Sequence, residues 1–210
     1  MEIMRAFAWE KNPASQFLPV VPKGAGEVLL HACCAPCSGA VVESMLANGV
    51  QPTIFYFNPN IFPQAEYERR KAESKRHAES LGLPFAEGDY DHAAWLGQMH
   101  GLEQEPERGA RCMACFRMRL SAAAQYAHAH GFTVFASTLA SSRWKDLHQI
   151  NRAGREAAAS FSGLVFPEQN WRRGGLSERR HALIKQYGFY NQTYCGCEFG
   201  LRNRPTVPAM

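Results

Sequence analysis

Apolar residues along the chain fall into short blocks separated by longer amphipathic stretches. Val28 to Ala32 is a largely apolar run of strand length, and Ser38 to Asn48 follows with Val41, Val42, Met45 and Leu46 at helical spacing before Gly49. The pattern then repeats: Pro52 to Asn58 reads as a strand carrying Ile54, Phe55, Tyr56 and Phe57, and the charged stretch Gln64 to Leu81 as a surface helix closed by Gly82. Phe85 begins a third strand, His92 to Met99 a short helix, and Cys112 to His130 a long alanine-rich helix ending at Gly131. Thr133 to Ala136 is strand-like, Lys145 to about Ala159 helical, Leu164 to Phe166 strand-like, and Glu178 to Tyr187 helical. Strands alternating with helices predict an α/β fold, a parallel sheet with helices on both faces.

Pro13, Pro19 and Pro22 with two glycines break residues 1–26 into an irregular N-terminal arm, which leaves 27–199 as a single α/β domain and 200–210 as a C-terminal tail. No internal repeat or linker divides the domain. With 210 residues and 46% hydrophobic content, the chain can bury a core without staples. Glu2, Arg5, Glu10 and Lys11 precede Pro13 with no apolar run, and no later stretch is long enough to span a bilayer, so the expected location is cytoplasmic, with no membrane partner. A net charge of +4 hints at a polyanionic partner.

Seven cysteines change the picture, because they lie in three tight groups: Cys33, Cys34 and Cys37; Cys112 and Cys115; Cys195 and Cys197. In a cytoplasmic protein, thiols this close together point to metal binding or redox chemistry rather than to a disulfide framework. The first group follows the first strand, and ligands of open α/β sheets bind beyond the carboxyl ends of the strands. Ala35 and Pro36 stand there in place of a phosphate-cradling glycine loop, so ATP binding is not expected. Ser137 and Thr138, after the strand ending at Ala136, bring two hydroxyls to the same edge.

Cys112 and Cys115, spaced i and i+3 near a helix start, share a face where the helix dipole favours thiolate. With Cys33 and Cys34 they would satisfy a four-iron cluster, in which each iron takes one cysteine and neighbouring residues can both ligate. Zinc, for which an adjacent pair is poorly suited, and buried or redox-active free thiols remain open at this stage. Cys37 is left as a ligand for a second metal or as a packed helix-start residue. Cys195 and Cys197 flank Gly196, whose conformational freedom would let them close a strained, easily reduced disulfide that acts as an electron relay or thiol reserve; two free thiols are the plain alternative.

The order of these motifs resembles a known family. Leu29 to Ser38 (LLHACCAPCS), Tyr56 to Ile61 (YFNPNI) with Tyr67, Arg70 and Lys71, Arg111 to Leu120 (RCMACFRMRL), Ser137 to Leu139, and Tyr194 to Cys197 (YCGC) are together similar to epoxyqueuosine reductases of the QueH type. The resemblance implies a Rossmann-like sheet of the HUP, adenine nucleotide alpha hydrolase-like class that has lost its ATP loop. It implies an oxidoreductase that reduces epoxyqueuosine to queuosine at the wobble position of tRNA, the last step of queuosine biosynthesis. Carried over residue by residue, it assigns Cys33, Cys34, Cys112 and Cys115 to a [4Fe-4S] cluster and Cys195 and Cys197 to a redox-active disulfide. An additional iron, with Cys37 as its candidate ligand, would act as a Lewis acid on the epoxide oxygen, and an electron donor is required.

Candidates to protonate the departing oxygen are Asp89, Asp91, His92 and Tyr194, and Asn170 stands where an Asp is expected. Expected tRNA contacts are Arg70 and Lys71 in the basic helix, with Arg69, Lys75 and Arg76 beside them, and Arg172 and Arg173, with Arg179, Arg180, Arg202 and Arg204 further on. Two other readings compete. A non-catalytic zinc or iron–sulfur nucleic-acid-binding module leaves the CGC pair unused, and a tRNA thiolase would need an ATP loop that this chain lacks.

Overall fold

A computed structural model describes residues 27–168 and 170–201. The arm at 1–26 and Arg202 and Arg204 of the tail therefore lie outside the described residues. Four strands, β1 (Val28–His31), β2 (Pro52–Tyr56), β3 (Phe85–Glu87) and β4 (Val134–Ser137), form one sheet in the order β3-β2-β1-β4, every pairing parallel. All four residues of β1 and of β4 are buried, as expected for strands covered on both faces. This is the expected Rossmann-like α/β fold, and its strand order reverses between β1 and β4.

The helices are α1 (Ala35–Ala47), α2 (Gln64–Ser80), α3 (His92–Gln98), α4 (Ala110–Ala129), α5 (Leu147–Ala158), α6 (Leu176–Tyr187) and the short α7 (Glu198–Leu201). In one group α1 packs on α2 and α6, and in the other α4 packs on α5. Gly39 permits the first contact: a Cβ there would lie 3.3 Å from Leu183 and 3.4 Å from Phe189. No helix among the described residues is long and apolar enough to cross a membrane.

Three boundaries differ from the sequence reading. Helix α1 starts at Ala35, inside the cysteine loop, with Cys34 as its extended N-cap and Pro36 in the first turn, where a missing N–H costs nothing. The strand expected at Leu164 to Phe166 is a single parallel bridge, Val165 to Val134. A 3-10 turn at Thr138–Ser141, nucleated by the Ser137 hydroxyl accepting from the Leu139 N–H at 3.2 Å, follows β4 and was not expected.

Beneath α6, His77 is buried edge-on against Tyr187 and Phe189, and burial followed by Arg76 pushes its pKa down to about 4. The unfolded chain takes up this proton near pH 6.5 and the folded one only near 4. Stability from this site is therefore present above pH 6.5 and is lost as pH falls through about 4, at on the order of 1 kcal/mol per pH unit. His77→Phe is expected to flatten the wild-type slope in denaturant titrations across this window; equal slopes would contradict the assignment.

Candidate active site

The carboxyl ends of β1 and β4 are fixed to each other before any thiol is placed. His31, fully buried at the end of β1, joins Ser137 Oγ through Nδ1 at 2.9 Å and the Phe57 carbonyl through Nε2 at 3.0 Å. Burial and the Arg119 charge push its pKa down to about 3, so the ring is neutral. Since a carbonyl only accepts, Nε2 carries the proton and Nδ1 accepts from the Ser137 hydroxyl. One residue on, the Ala32 carbonyl accepts from Asn58 Nδ2 at 3.0 Å, and Asn58 Oδ1 accepts from Arg119. The Cys33 N–H donates to Thr138 Oγ1 at 3.2 Å, and the Thr138 hydroxyl donates to Cys33 Sγ at 3.6 Å. The two hydroxyls expected at this edge thus hold the cysteine loop.

The sulfur atoms of Cys33, Cys34 and Cys37 lie within 4.8 Å of one another, all buried, with Cys33 and Cys34 at 3.9 Å. Hydrogen bonds from Cys34 and Cys37 pull the Cys33 thiol well below its usual range, burial pushes Cys34 up, and contact with Cys33 pushes Cys37 up. Cys37 is thus a member of the buried thiol group and not merely a helix-start residue, and the group fits metal binding.

The second group behaves differently from expectation. Burial pushes Cys112 up to about 11, outweighing the Arg108 N–H that donates to its sulfur at 3.3 Å, so the helix start does not favour thiolate in this state. Burial also raises Cys115 and takes Cys197 to about 12. Charge interactions connect Cys195 with Cys112, Cys115 and Cys197. Buried Lys145 feels Cys195, Cys33 and Cys37, and buried Arg119 acts on both Cys33 and Cys115. Burial lowers the Lys145 ammonium, but charge interactions with Cys195, Cys33 and Cys37 more than reverse this, and its pKa lies above the ordinary value. Two buried cations thus act on more than one cysteine group: Lys145 on Cys33, Cys37 and Cys195, and Arg119 on Cys33 and Cys115.

Whether this place suits a sulfur-rich anionic cofactor can be tested on its orphaned donors. Trp95 Nε1 and Arg119 Nε are buried without a well-formed hydrogen bond, and the acceptor that both side chains approach is the Cys115 sulfur, whose thiolate they favour. Buried donors left unmet are costly. Thiolate and sulfide acceptors would meet them, and all seven thiols are free. The residues fit such a group.

The Cys195-Gly196-Cys197 turn is anchored from below. Gly196 has φ +132, a region that favours glycine, and a Cβ there would come within 3.1 Å of Ile61 and 3.2 Å of Arg70 Nη1. The Phe62 N–H donates to the Gly196 carbonyl at 2.9 Å. Arg70, 2% exposed, donates to the Cys195 carbonyl at 3.3 Å and pairs with Glu66. It brackets the turn from the interior and reaches the cavity wall rather than the outer surface of the helix. Lys71 pairs with Glu68 at 3.0 Å and Glu87 at 3.4 Å. Gln192 Nε2 donates to Cys34 Sγ at 2.7 Å and so ties the segment before the turn to the first cysteine group.

A cavity of about 400 Å³ opens between these parts, with Cys33, Cys37 and Cys195 in its wall. Trp171 lines it too, its indole N–H donating to the Ser137 carbonyl at 3.0 Å. Arg172 lines it as expected, whereas exposed Arg173 does not. Of the proton-donor candidates, Asp91 caps α3 at the Ala94 N–H (2.8 Å), His92 is held between the Pro59 carbonyl and Glu198, and the Tyr194 hydroxyl donates to the Phe62 carbonyl; Asp89 is exposed. None of the four lines the cavity. Asn170 caps the following turn by accepting the Arg172 N–H at 3.2 Å.

A family model described as epoxyqueuosine reductase QueH matches residues 28–203. Curated proteins named epoxyqueuosine reductase QueH are similar over most of their length: one from Haemophilus influenzae is 47% identical over 196 residues, covering 92% of this chain and 80% of its own. One from Histophilus somni is 50% identical over 183 residues (87% and 75%), and one from Thermotoga maritima 32% identical over 182 residues (85% and 92%). A match that spans every cysteine group and the sheet that presents them shows that the chain belongs to the epoxyqueuosine reductase QueH family.

Proposed function

We propose that this chain is an epoxyqueuosine reductase acting on tRNA, removing the epoxide oxygen of epoxyqueuosine to leave the alkene of queuosine. The observation that carries this reading is one cavity whose wall holds thiols of the first and third cysteine groups, Cys33, Cys37 and Cys195, together with cations and no Asp or Glu.

In this reading Cys33, Cys34, Cys112 and Cys115 hold a [4Fe-4S] cluster, with Trp95 and Arg119 donating towards its sulfur. Cys37, in the cavity wall, is the thiol left to ligate an additional iron. When bound, the cluster supplies electrons one at a time. The pair Cys195 and Cys197 stores two electrons: oxidation of both thiols to a disulfide releases two electrons and two protons. These balance the reaction, since the epoxide takes up two electrons and two protons, both C–O bonds break, and the oxygen leaves as water. An external reductant must then return the disulfide to the dithiol. Lys145 and Arg119 hold negative charge in place, and Gln192 and Arg70 fix the turn against the cysteine loop. Nucleoside analysis of tRNA from cells lacking this gene tests the reading. Epoxyqueuosine should accumulate, and normal queuosine in cells without a second reductase would refute it.

A further inference from the structure

The cavity mouth is cationic to a degree that its structural needs do not explain. Arg70, Arg143, Lys145, Arg172, Arg180 and His181 line it, no Asp or Glu does, and of these cations Arg70 alone forms an ion pair among the described residues. Several arginines away from the cavity are paired: Arg76 with Glu73, Arg117 and Arg152 with Glu156, Arg155 with Glu168, Arg179 with Glu43. The carboxylate that acts on Arg172 is Asp146, which accepts the Gln149 N–H at 2.9 Å as the cap of α5.

The segment 143–145 and the side chains of Arg172 and Arg180 are tied by hydrogen bonds. The successive carbonyls of Arg143, Trp144 and Lys145 accept from Arg108 at 2.8 and 3.4 Å and from Arg172 at 2.7 Å. Arg180 Nε donates to the Pro36 carbonyl at 3.0 Å, within the first turn beside the thiols. Arg172 and Arg180 each keep guanidinium donors beyond these contacts, and burial and the neighbouring Arg108 charge lower the Arg172 pKa. Like charges gathered at fixed positions beside a cavity destabilise the empty fold and are relieved by an anion with several acceptor oxygens.

We propose that Arg143, Arg172 and Arg180 form a cradle for the RNA backbone phosphates flanking the substrate nucleotide, so that the base enters the cavity towards Cys33, Cys37 and Cys195. This rests on the reading of the chain as a reductase of a tRNA nucleotide. It moves RNA recognition away from the outer face of α2, where Lys71 is paired with acids. Guanidinium contacts to phosphates give affinity that weakens with salt and is indifferent to base identity.

The test is binding of a synthetic anticodon stem-loop by the iron-loaded protein, measured by fluorescence anisotropy over a series of salt concentrations. Arg143→Gln, Arg172→Gln and Arg180→Gln should each weaken binding and reduce the slope of log K against log salt by about 0.7 for every single-strand phosphate that is no longer neutralised. Arg152→Gln, on the exposed face of α5, should leave both unchanged. Arg143 is exposed, so its variant reports even if the other two lose stability. Unchanged slopes in all three variants, or a wild type that does not bind the stem-loop, overturn the cradle. Reduction assays keep the two readings apart. A wild type that binds with the full salt slope but leaves epoxyqueuosine intact defeats the reductase reading and spares the cradle; a wild type that reduces epoxyqueuosine while the variants bind as it does defeats the cradle alone.

Discussion

Replacing Cys195 by Ser will stop repeated turnover, by at least about a hundredfold, while bound iron and the visible absorbance of the cluster stay near wild type. The expectation follows from the division of the seven thiols. Cys195 lies in the cavity wall on a turn held by Arg70 and by the Phe62 N–H, outside the four proposed cluster ligands. A serine hydroxyl preserves those backbone contacts, but the variant cannot form the disulfide that balances two electrons. Cys34→Ser should behave in the opposite way, because Cys34 is 1% exposed in the thiol group and accepts from Gln192: iron and activity fall together. Iron analysis, absorption spectra and product quantification on the same samples check both. Equal loss of iron and activity in Cys195→Ser would refute the division of labour.

Arg119→Met is expected to be the most damaging change away from the thiols. The guanidinium, 2% exposed, donates to Asn58, and Asn58 in turn holds the Ala32 carbonyl next to Cys33. Its charge acts on Cys33 and Cys115 together. Losing a buried charge partner costs about 3 kcal/mol or more, so the variant should melt well below wild type. Removing a positive charge from beside an anionic cluster also makes reduction harder, so its midpoint potential should move to more negative values. Arg119→Lys restores charge without the planar fork and should recover the potential more fully than the stability. Redox titration followed by electron paramagnetic resonance reads the potential, and a value unchanged in the Met variant would contradict this role.

The fold was largely legible because strand and helix periodicities survive averaging over several residues. Where single residues decide, the sequence was less informative. The expected strand at Leu164 to Phe166 has the right composition but finds only Val134 to bridge. Helix α2 invited a reading of Arg70 as a surface cation, yet Tyr67, Arg70, Ser74, His77 and Ala78 form one buried stripe at helical spacing. That signal was present and was masked by the charge of the residue. Cys112 sits near a helix start as predicted, but burial outweighs the dipole there.

The cysteine groups were found from spacing because thiols are scarce and their clustering is local. Their supports were not, since each acts across the fold. Gln192 meets Cys34 from 158 positions away, and Asn58 meets Arg119 from 61. Lys145 becomes a site residue only because Arg108 and Arg172 hold the carbonyls of its segment. No local pattern in a single sequence marks such contacts.

The central claim is most directly tested by incubating the purified, iron-reconstituted protein anaerobically with tRNA carrying epoxyqueuosine and a low-potential reductant, then digesting the tRNA and weighing its nucleosides by mass spectrometry. The account predicts conversion to a nucleoside lighter by one oxygen that co-elutes with queuosine. Epoxyqueuosine recovered intact from protein shown to carry its iron would contradict it.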